Sequence, residues 1–167
     1  MDKVTSDLMI CYYRLSSEDG DVARGNAAES FSISAQRLCV QNFLASRPDL
    51  EGTVEEIVDD GYTGTNMNRP GIQRLLSLVK SGSVKAVIVR DLSRFSRNFL
   101  EGGHYLEFVF PAYGVRFISI NDHFDSADYG ESTGGLELGI TNLLNQLYSR
   151  DLSRKIKSVT DRKKLNG

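Results

Sequence analysis

The stretch Val84–Asn98, VKAVIVRDLSRFSRN, decides the fold. Its first part, Val84–Arg90, is apolar and rich in β-branched residues, which predicts a short buried strand. Three similar runs predict further strands at Leu8–Tyr13, Thr53–Val58 and Val115–Ile120. The residues that follow the run at Val84–Arg90 are hydroxyls and arginines, so the strand leads directly into a polar segment.

Helical patterns lie between these strands. The apolar residues after Pro70 recur at i, i+3, i+4 and i+7 and end before Gly82, which predicts a helix; they are Ile72, Leu75, Leu76 and Val79. Less regular patterns predict helices over Ser32–Arg47 and Leu100–Tyr113. This alternation predicts an α/β fold with a mostly parallel central sheet of four or more strands flanked by helices. Polar composition predicts loops at Glu18–Ser30 and Asp122–Thr133.

The last segment of the chain has a different pattern. Residues 135–164 contain no proline, and apolar residues recur at spacings near three and four. They predict a long C-terminal amphipathic helix of about 45 Å, whose first half packs on a sheet or a partner and whose basic second half projects. We therefore divide the chain into a core, 1–134, and a long helix, 135–167, whose pattern suggests an element for oligomerisation. The alternative is a helix that lies wholly across its own sheet.

Composition limits the function classes. The chain has 167 residues, 40% of them hydrophobic, which predicts one domain with its own core. Its net charge of −2 argues against a free-standing nucleic-acid binder, but residues 150–164 hold seven basic and two acidic residues. Such a segment suits a polyanion, although a solvated helix face is the alternative. The candidate DNA-binding residues are Arg150, Arg154, Lys155 and Lys157.

Targeting and metal signals are weak. No apolar run has the length of a membrane span, and the N-terminus lacks the features of a signal peptide, so we expect a cytoplasmic protein. Cys11 and Cys39 are isolated, and with His104 and His123 they form no metal-ligand spacing. We expect no metal and no cofactor.

Hydroxyls and arginines follow three of the predicted strands. Because the carboxyl ends of parallel strands meet at one edge of a sheet, these side chains should converge. Four arginines there could bind the oxygens of a phosphodiester, and Ser16 could be a nucleophile; the arginines are Arg14, Arg69, Arg94 and Arg97. Taken singly, the Arg-x-Ser after a strand is more often a satisfied loop. Arg94 and Arg97 also fit a solvated helix start, and the pair Asp59-Asp60 also fits a turn or a helix cap.

Five motifs occur in the order found in the resolvase/invertase family of serine site-specific recombinases. They are YYRLS (12–16), SISAQ (32–36), DGYTG (60–64), NRPG (68–71) and DLSRFSRN (91–98). The chain resembles this family from Met9 to its end, and the long interval between Ser16 and Gln36 is similar to that of the large, transposon-type members. Those members carry a DNA-binding region after the long helix, so we expect this chain to correspond to an isolated catalytic domain that lacks it.

The resemblance implies a metal-free and cofactor-free reaction on double-stranded DNA. A serine attacks a phosphodiester and forms a 5′-phosphoserine link, and the enzyme, a homodimer at rest, acts as a homotetramer in the synaptic complex. Residues 1–134 then correspond to the catalytic core, and residues 135–167 to a helix for oligomerisation and approach to DNA. Ser16 matches the nucleophile, and the four arginines match the phosphate-binding ones. The supporting positions are Gln36, Asp60, Thr63 and Ser93, and we expect Asp60 to orient an arginine or the nucleophile.

Two features depart from the family pattern. Ser93 stands where small resolvases commonly carry an acid, and Thr63 stands where many members have serine. Ser17 adjoins Ser16 but would point the other way along a continuing strand. Two rival functions stay open: a non-catalytic oligomerisation module of the same fold, and a metal-dependent phosphoesterase.

Overall fold

A five-stranded sheet forms the centre of the molecule. The computed structural model describes residues 7–15, 28–130 and 135–166. The strand order is β2-β1-β3-β4-β5, with β1 to β4 parallel and β5 antiparallel to β4. The bounds are β1 Leu8–Leu15, β2 Thr53–Asp60, β3 Val84–Val89, β4 Arg116–Ser119 and β5 Phe124–Asp125. This architecture confirms the α/β prediction.

Helices cover both faces of the sheet. Their bounds are α1 Ala28–Ala45, α2 Pro70–Lys80, α3 Leu92–Phe95, α4 Phe99–His104, α5 Phe110–Ala112 and α6 Gly135–Asn166. One π-helical turn, Tyr105–Val109, joins α4 to α5, and a 3₁₀ turn, Ser126–Tyr129, follows β5. The predicted helices after Pro70 and over Leu100–Tyr113 are thus present, the second as three consecutive short segments.

The alternation of side chains along β1 divides the core in two. Ile10 and Tyr12 face a cluster that includes residues of α2, α3 and α6. Met9 and Tyr13 face a second cluster, which α1 covers. Because both faces are buried, β1 consists almost entirely of apolar and aromatic residues, as expected of a central parallel strand.

Two of the loop predictions are wrong in part. Within Asp122–Thr133, the structure has β5 and a 3₁₀ turn, where the buried Phe124 ring stacks on Tyr129 at 5.5 Å. A two-residue strand is too short to show a periodicity of its own. Helix α1 begins at Ala28, so the predicted loop Glu18–Ser30 ends earlier than expected, and its residues 18–27 lie outside the described part of the chain.

Helix α6 is continuous over 32 residues, about 48 Å at 1.5 Å per residue. Ile140 and Leu143 are buried against the core. Farther along the helix four apolar side chains are exposed, at spacings of four and three residues: Tyr148, Leu152, Ile156 and Val159. The helix therefore does not lie wholly across its own sheet. In the described residues, no helix is both long enough and apolar enough to cross a membrane.

Candidate active site at the carboxyl ends of the strands

A cleft of about 730 Å³ lies beside the carboxyl ends of β3 and β4. Helix α6 forms its other wall. Six basic side chains contribute to its lining, three from the segment after β3 and three from α6: Arg90, Arg94, Arg97, Arg150, Arg154 and Lys155. Such a cleft attracts anions, because cationic groups around a low-dielectric concavity reinforce one another's field.

Arg14, near the end of β1, is completely buried (0% exposed). Its guanidinium donates to three backbone carbonyls: from Nε to Arg94 at 3.2 Å, from Nη1 to Tyr62 at 3.0 Å and from Nη2 to Ser93 at 3.0 Å. The side chain of Gln36 fixes the Arg14 backbone from α1, with Oε1 accepting from the amide at 3.3 Å and Nε2 donating to the carbonyl at 3.1 Å. Arg14 thus joins the segment after β2 to α3.

Arg69 makes a second connection of the same kind. It is 1% exposed, and it donates from Nη1 to the Thr63 carbonyl at 3.0 Å and from Nη2 to the Phe95 carbonyl. Its Nε lies 3.7 Å from Oδ2 of Asp59 and has no hydrogen-bond partner among the described residues. Two buried arginines therefore link the loop 61–69 to α3, each through backbone carbonyls that would otherwise be unsatisfied.

The Asp59 carboxylate, at the end of β2, organises the start of α2. It accepts from the amide groups of Gly71 at 2.7 Å and Ile72 at 3.0 Å, where an anion is favoured by the helix dipole. The Tyr12 hydroxyl donates to it at 2.7 Å. Burial raises the pKa of Tyr12 far above its ordinary value, despite the opposing charge of Arg69, so this hydroxyl remains a donor.

Asp60, the expected orienting residue, has a different environment. It is exposed, and its side chain makes no hydrogen bond or ion pair with another described residue. Asp59 instead faces Arg69, because successive residues of a strand point to opposite sides and Asp59 shares the buried side with Ile57. The sequence offers no signal that distinguishes the two carboxylates, because an apolar residue precedes each of them by two positions, Ile57 for Asp59 and Val58 for Asp60.

Helix α3 brings Arg94 and Ser93 to the cleft. Nη1 of Arg94 donates to the Arg14 carbonyl at 3.1 Å, and its Nε lies 3.5 Å from Oδ2 of Asp91. Asp91 also accepts from the Ser93 hydroxyl and, at 2.9 Å, from Nε of Arg90. Burial by itself would raise the pKa of Asp91, but these donors outweigh it and hold that pKa below its usual range. Asp91 is a site residue that the sequence reasoning missed.

Arg97 approaches the loop 61–69 closely. Its amide donates to the Gly64 carbonyl at 2.7 Å, and its side chain lines the cleft. A Cβ on Gly64 would lie 2.8 Å from Cγ of Arg97 and 3.0 Å from Nη2 of Arg14. Only glycine fits this position without displacing an arginine. Thr63, the other predicted residue of this loop, has its hydroxyl 2.8 Å from that of Thr65.

Three of the four expected DNA-binding residues lie on the wall that α6 provides. Arg150 donates from Nη1 to Oδ1 of Asp122 at 3.2 Å, and Lys155 pairs with Asp151 at 2.8 Å. Arg154 lines the cleft, whereas Lys157 is exposed and lies outside its lining.

All four predicted arginines are gathered around this edge of the sheet. Ser16 and Ser17, which follow β1 directly, lie outside the described residues. Within residues 7–15, 28–130 and 135–166, no three His, Cys, Asp or Glu side chains come together as a set that could hold a metal ion.

Comparison with known proteins identifies the family. Residues 9–167 match the model of the resolvase N-terminal domain. No curated protein sequence matches. Among solved structures, the N-terminal catalytic domain of TP901-1 integrase is similar with a TM-score of 0.59 and 23% identity, covering 87% of this chain and 98% of that one.

Two further solved structures share the fold. A resolvase family site-specific recombinase from Streptococcus pneumoniae has a TM-score of 0.58 and 22% identity, over 94% of this chain and 98% of that one. The C-terminal catalytic domain of ISC1926 TnpA, an IS607-like serine recombinase, has a TM-score of 0.52 and 22% identity, over 93% and 84%. The family match spans nearly the whole chain, which therefore belongs to the resolvase family of site-specific serine recombinases.

Proposed function

We propose that this chain cleaves and rejoins DNA through a 5′-phosphoserine intermediate, with Ser16 as the nucleophile. The observation that carries the proposal is the convergence of four arginines on the strand ends beside a cationic cleft. A phosphodiester in transfer concentrates negative charge on its non-bridging oxygens, and positioned guanidinium groups stabilise that charge. Ser16 follows Leu15 in the sequence, and Leu15 is the last residue of β1, which ends at this edge of the sheet.

The four arginines divide into two roles. Arg94 and Arg97 line the cleft and stabilise the phosphate oxygens as the Ser16 oxygen bonds to phosphorus and the 3′ oxygen leaves with a proton. Arg14 and Arg69, which donate to carbonyls, hold the loop 61–69 and α3 in place for them. Asp59 takes the orienting role expected of Asp60, and Gln36, Thr63 and Ser93 support the site. Rejoining is the reverse attack by a 3′ hydroxyl on the phosphoserine.

The reaction proceeds without a metal ion. Guanidinium groups supply the positive charge that a divalent cation supplies in other phosphoryl-transfer sites. The cleft lining has six basic side chains against the carboxylates of Asp91, Asp122 and Asp151, each of which is paired with a basic side chain. Such a site favours an anion over a cation.

The functional unit is an oligomer on DNA. Residues 1–134 form the catalytic core, and the exposed apolar side chains of α6 give a second copy a surface to pack on. We propose a homodimer at rest and a homotetramer in the synaptic complex, acting at the nucleoid in the bacterial cytoplasm. Arg150, Arg154, Lys155 and Lys157 then approach the DNA backbone.

An adduct assay with the full-length gene product and the DNA that flanks its gene tests this function. We expect an SDS-resistant protein–DNA adduct at a 5′ end, equally abundant with and without EDTA. DNA binding without any adduct would instead support a non-catalytic assembly module. Hydrolysis that requires Mg²⁺ and leaves no adduct would support a metal-dependent phosphoesterase.

Replacing Gly64 by alanine should slow cleavage. The added Cβ displaces Arg97, because Arg14 is fixed by three carbonyls and cannot move aside. A displacement near 1 Å at a reacting group costs about 10²-fold in rate. The measurement is the rate of adduct formation, with Ser77→Ala on the exposed side of α2 as the control. An unchanged rate in Gly64→Ala would contradict the assigned role of Arg97.

A further inference from the structure

We propose that Asp91 is a positioning residue for strand cleavage, which fixes Arg94 and Ser93 at the cleft. The inference rests on the function proposed above. The Asp91 carboxylate contacts Arg94, the arginine assigned to the phosphate, and does not itself contact DNA.

Both carboxylate oxygens of Asp91 are engaged by residues of the cleft. Oδ1 accepts from the Ser93 hydroxyl, and Oδ2 accepts from Arg90 at 2.9 Å and lies 3.5 Å from Nε of Arg94. The Asp91 side chain is 17% exposed, so water screens these interactions less than it would at an open surface. One negative charge thus lies between two guanidinium groups and holds the adjoining hydroxyl.

Asp91 is not needed to begin α3. It occupies the position before the first helical residue, yet its side chain makes no capping hydrogen bond. The amide of Leu92 is satisfied by another carboxylate, Oδ2 of Asp122, at 2.7 Å. The Asp91 side chain is therefore directed to its cationic neighbours and not to the backbone of the helix that carries them.

The contact limits the movement of Arg94. The anchors of the guanidinium include the contact of Nη1 with the Arg14 carbonyl and that of Nε with Asp91. Neutralising Asp91 leaves Arg90 and Arg94 as adjacent like charges, which separate to reduce their repulsion. Arg94 then reaches the phosphate from a range of orientations, and the advantage of a preset geometry is lost.

The test compares Asp91→Asn with Asp128→Asn, an exposed control on the 3₁₀ turn, in the full-length gene product. We expect Asp91→Asn to lower the rate of adduct formation by about 10²-fold, with an unchanged Kd for DNA. Adding Ser93→Asp to Asp91→Asn returns a carboxylate to the other end of the same hydrogen bond. The double variant should form the adduct at least about tenfold faster than Asp91→Asn alone.

Three results would each contradict a different part of the proposal. A normal rate in Asp91→Asn would overturn the inference while leaving the proposed function intact. A matching loss of adduct, DNA affinity and thermal stability, without rescue by Ser93→Asp, would show a structural role only. An absence of adduct from DNA-bound wild type would overturn the proposed function itself, before any variant is compared.

Discussion

Replacing Ser16 by alanine should abolish the covalent protein–DNA adduct, whereas replacing Ser17 should leave it. Along β1, Tyr12 faces the cluster with α2 and α3, while Tyr13 faces α1. The Arg14 guanidinium lies on the Tyr12 side, where it reaches the carbonyls of α3. The two-residue period of a strand predicts Ser16 on that same side and Ser17 on the opposite side.

The measurement is SDS-resistant adduct formation by wild type and the two variants on the same DNA, with EDTA present. Ser17→Ala is the matched control, because it removes the same hydroxyl from the next residue. Both variants should bind DNA with the affinity of wild type, since neither loses a positive charge. An adduct lost in Ser17→Ala and kept in Ser16→Ala would assign the nucleophile to the other serine, and the family membership would stand.

Asp59→Asn should lower the free energy of unfolding by about 3 kcal/mol or more, the scale for removing one partner of a buried ion pair. The substitution leaves the Arg69 charge without its carboxylate in a site where both side chains are almost inaccessible. It also replaces one of the oxygens that accept from Tyr12, Gly71 and Ile72 by an amide donor, which opposes the α2 dipole.

The neighbouring substitution, Asp60→Asn, is the matched control for stability. Asp60 is exposed, so the free energy of unfolding of the Asp60→Asn variant should stay within about 0.5 kcal/mol of the wild-type value, as for most surface positions. Chemical denaturation followed by circular dichroism measures both. Equal losses in the two variants, or a larger loss in Asp60→Asn, would show that Asp59 does not carry the buried interactions of this edge.

The fold was accessible from sequence because its two central strands, β1 and β3, are almost continuous apolar runs. Val84–Val89 is buried almost completely, and the four apolar residues of α2 occupy one helical face against the sheet. Such patterns reflect local periods that survive in the folded state. The two-residue β5 was not accessible, since its pairing with β4 depends on partners brought together by the rest of the chain.

The site was predicted at the level of residue type and less well at the level of contacts. The four arginines gather as expected, but two of them, Arg14 and Arg69, donate to backbone carbonyls whose positions no motif specifies. The carboxylates are the harder case. Asp59 and Asp91 acquire their roles from the strand face and the charged neighbours that tertiary structure provides, and a list of motifs gives every acid near an arginine equal weight.

The Asp122 carboxylate connects α3, β4 and α6. It accepts from the Leu92 amide at the start of α3, from the Ser119 hydroxyl at the end of β4 and from Arg150 on α6. The tilt of α6 and the position of α3, which carries Arg94, are therefore linked through the Asp122 side chain. We therefore expect that separating Arg150 from Asp122 shifts α3 and the Arg94 side chain that it carries, and that an anion bound to Arg94 shifts the tilt of α6 by the same coupling free energy.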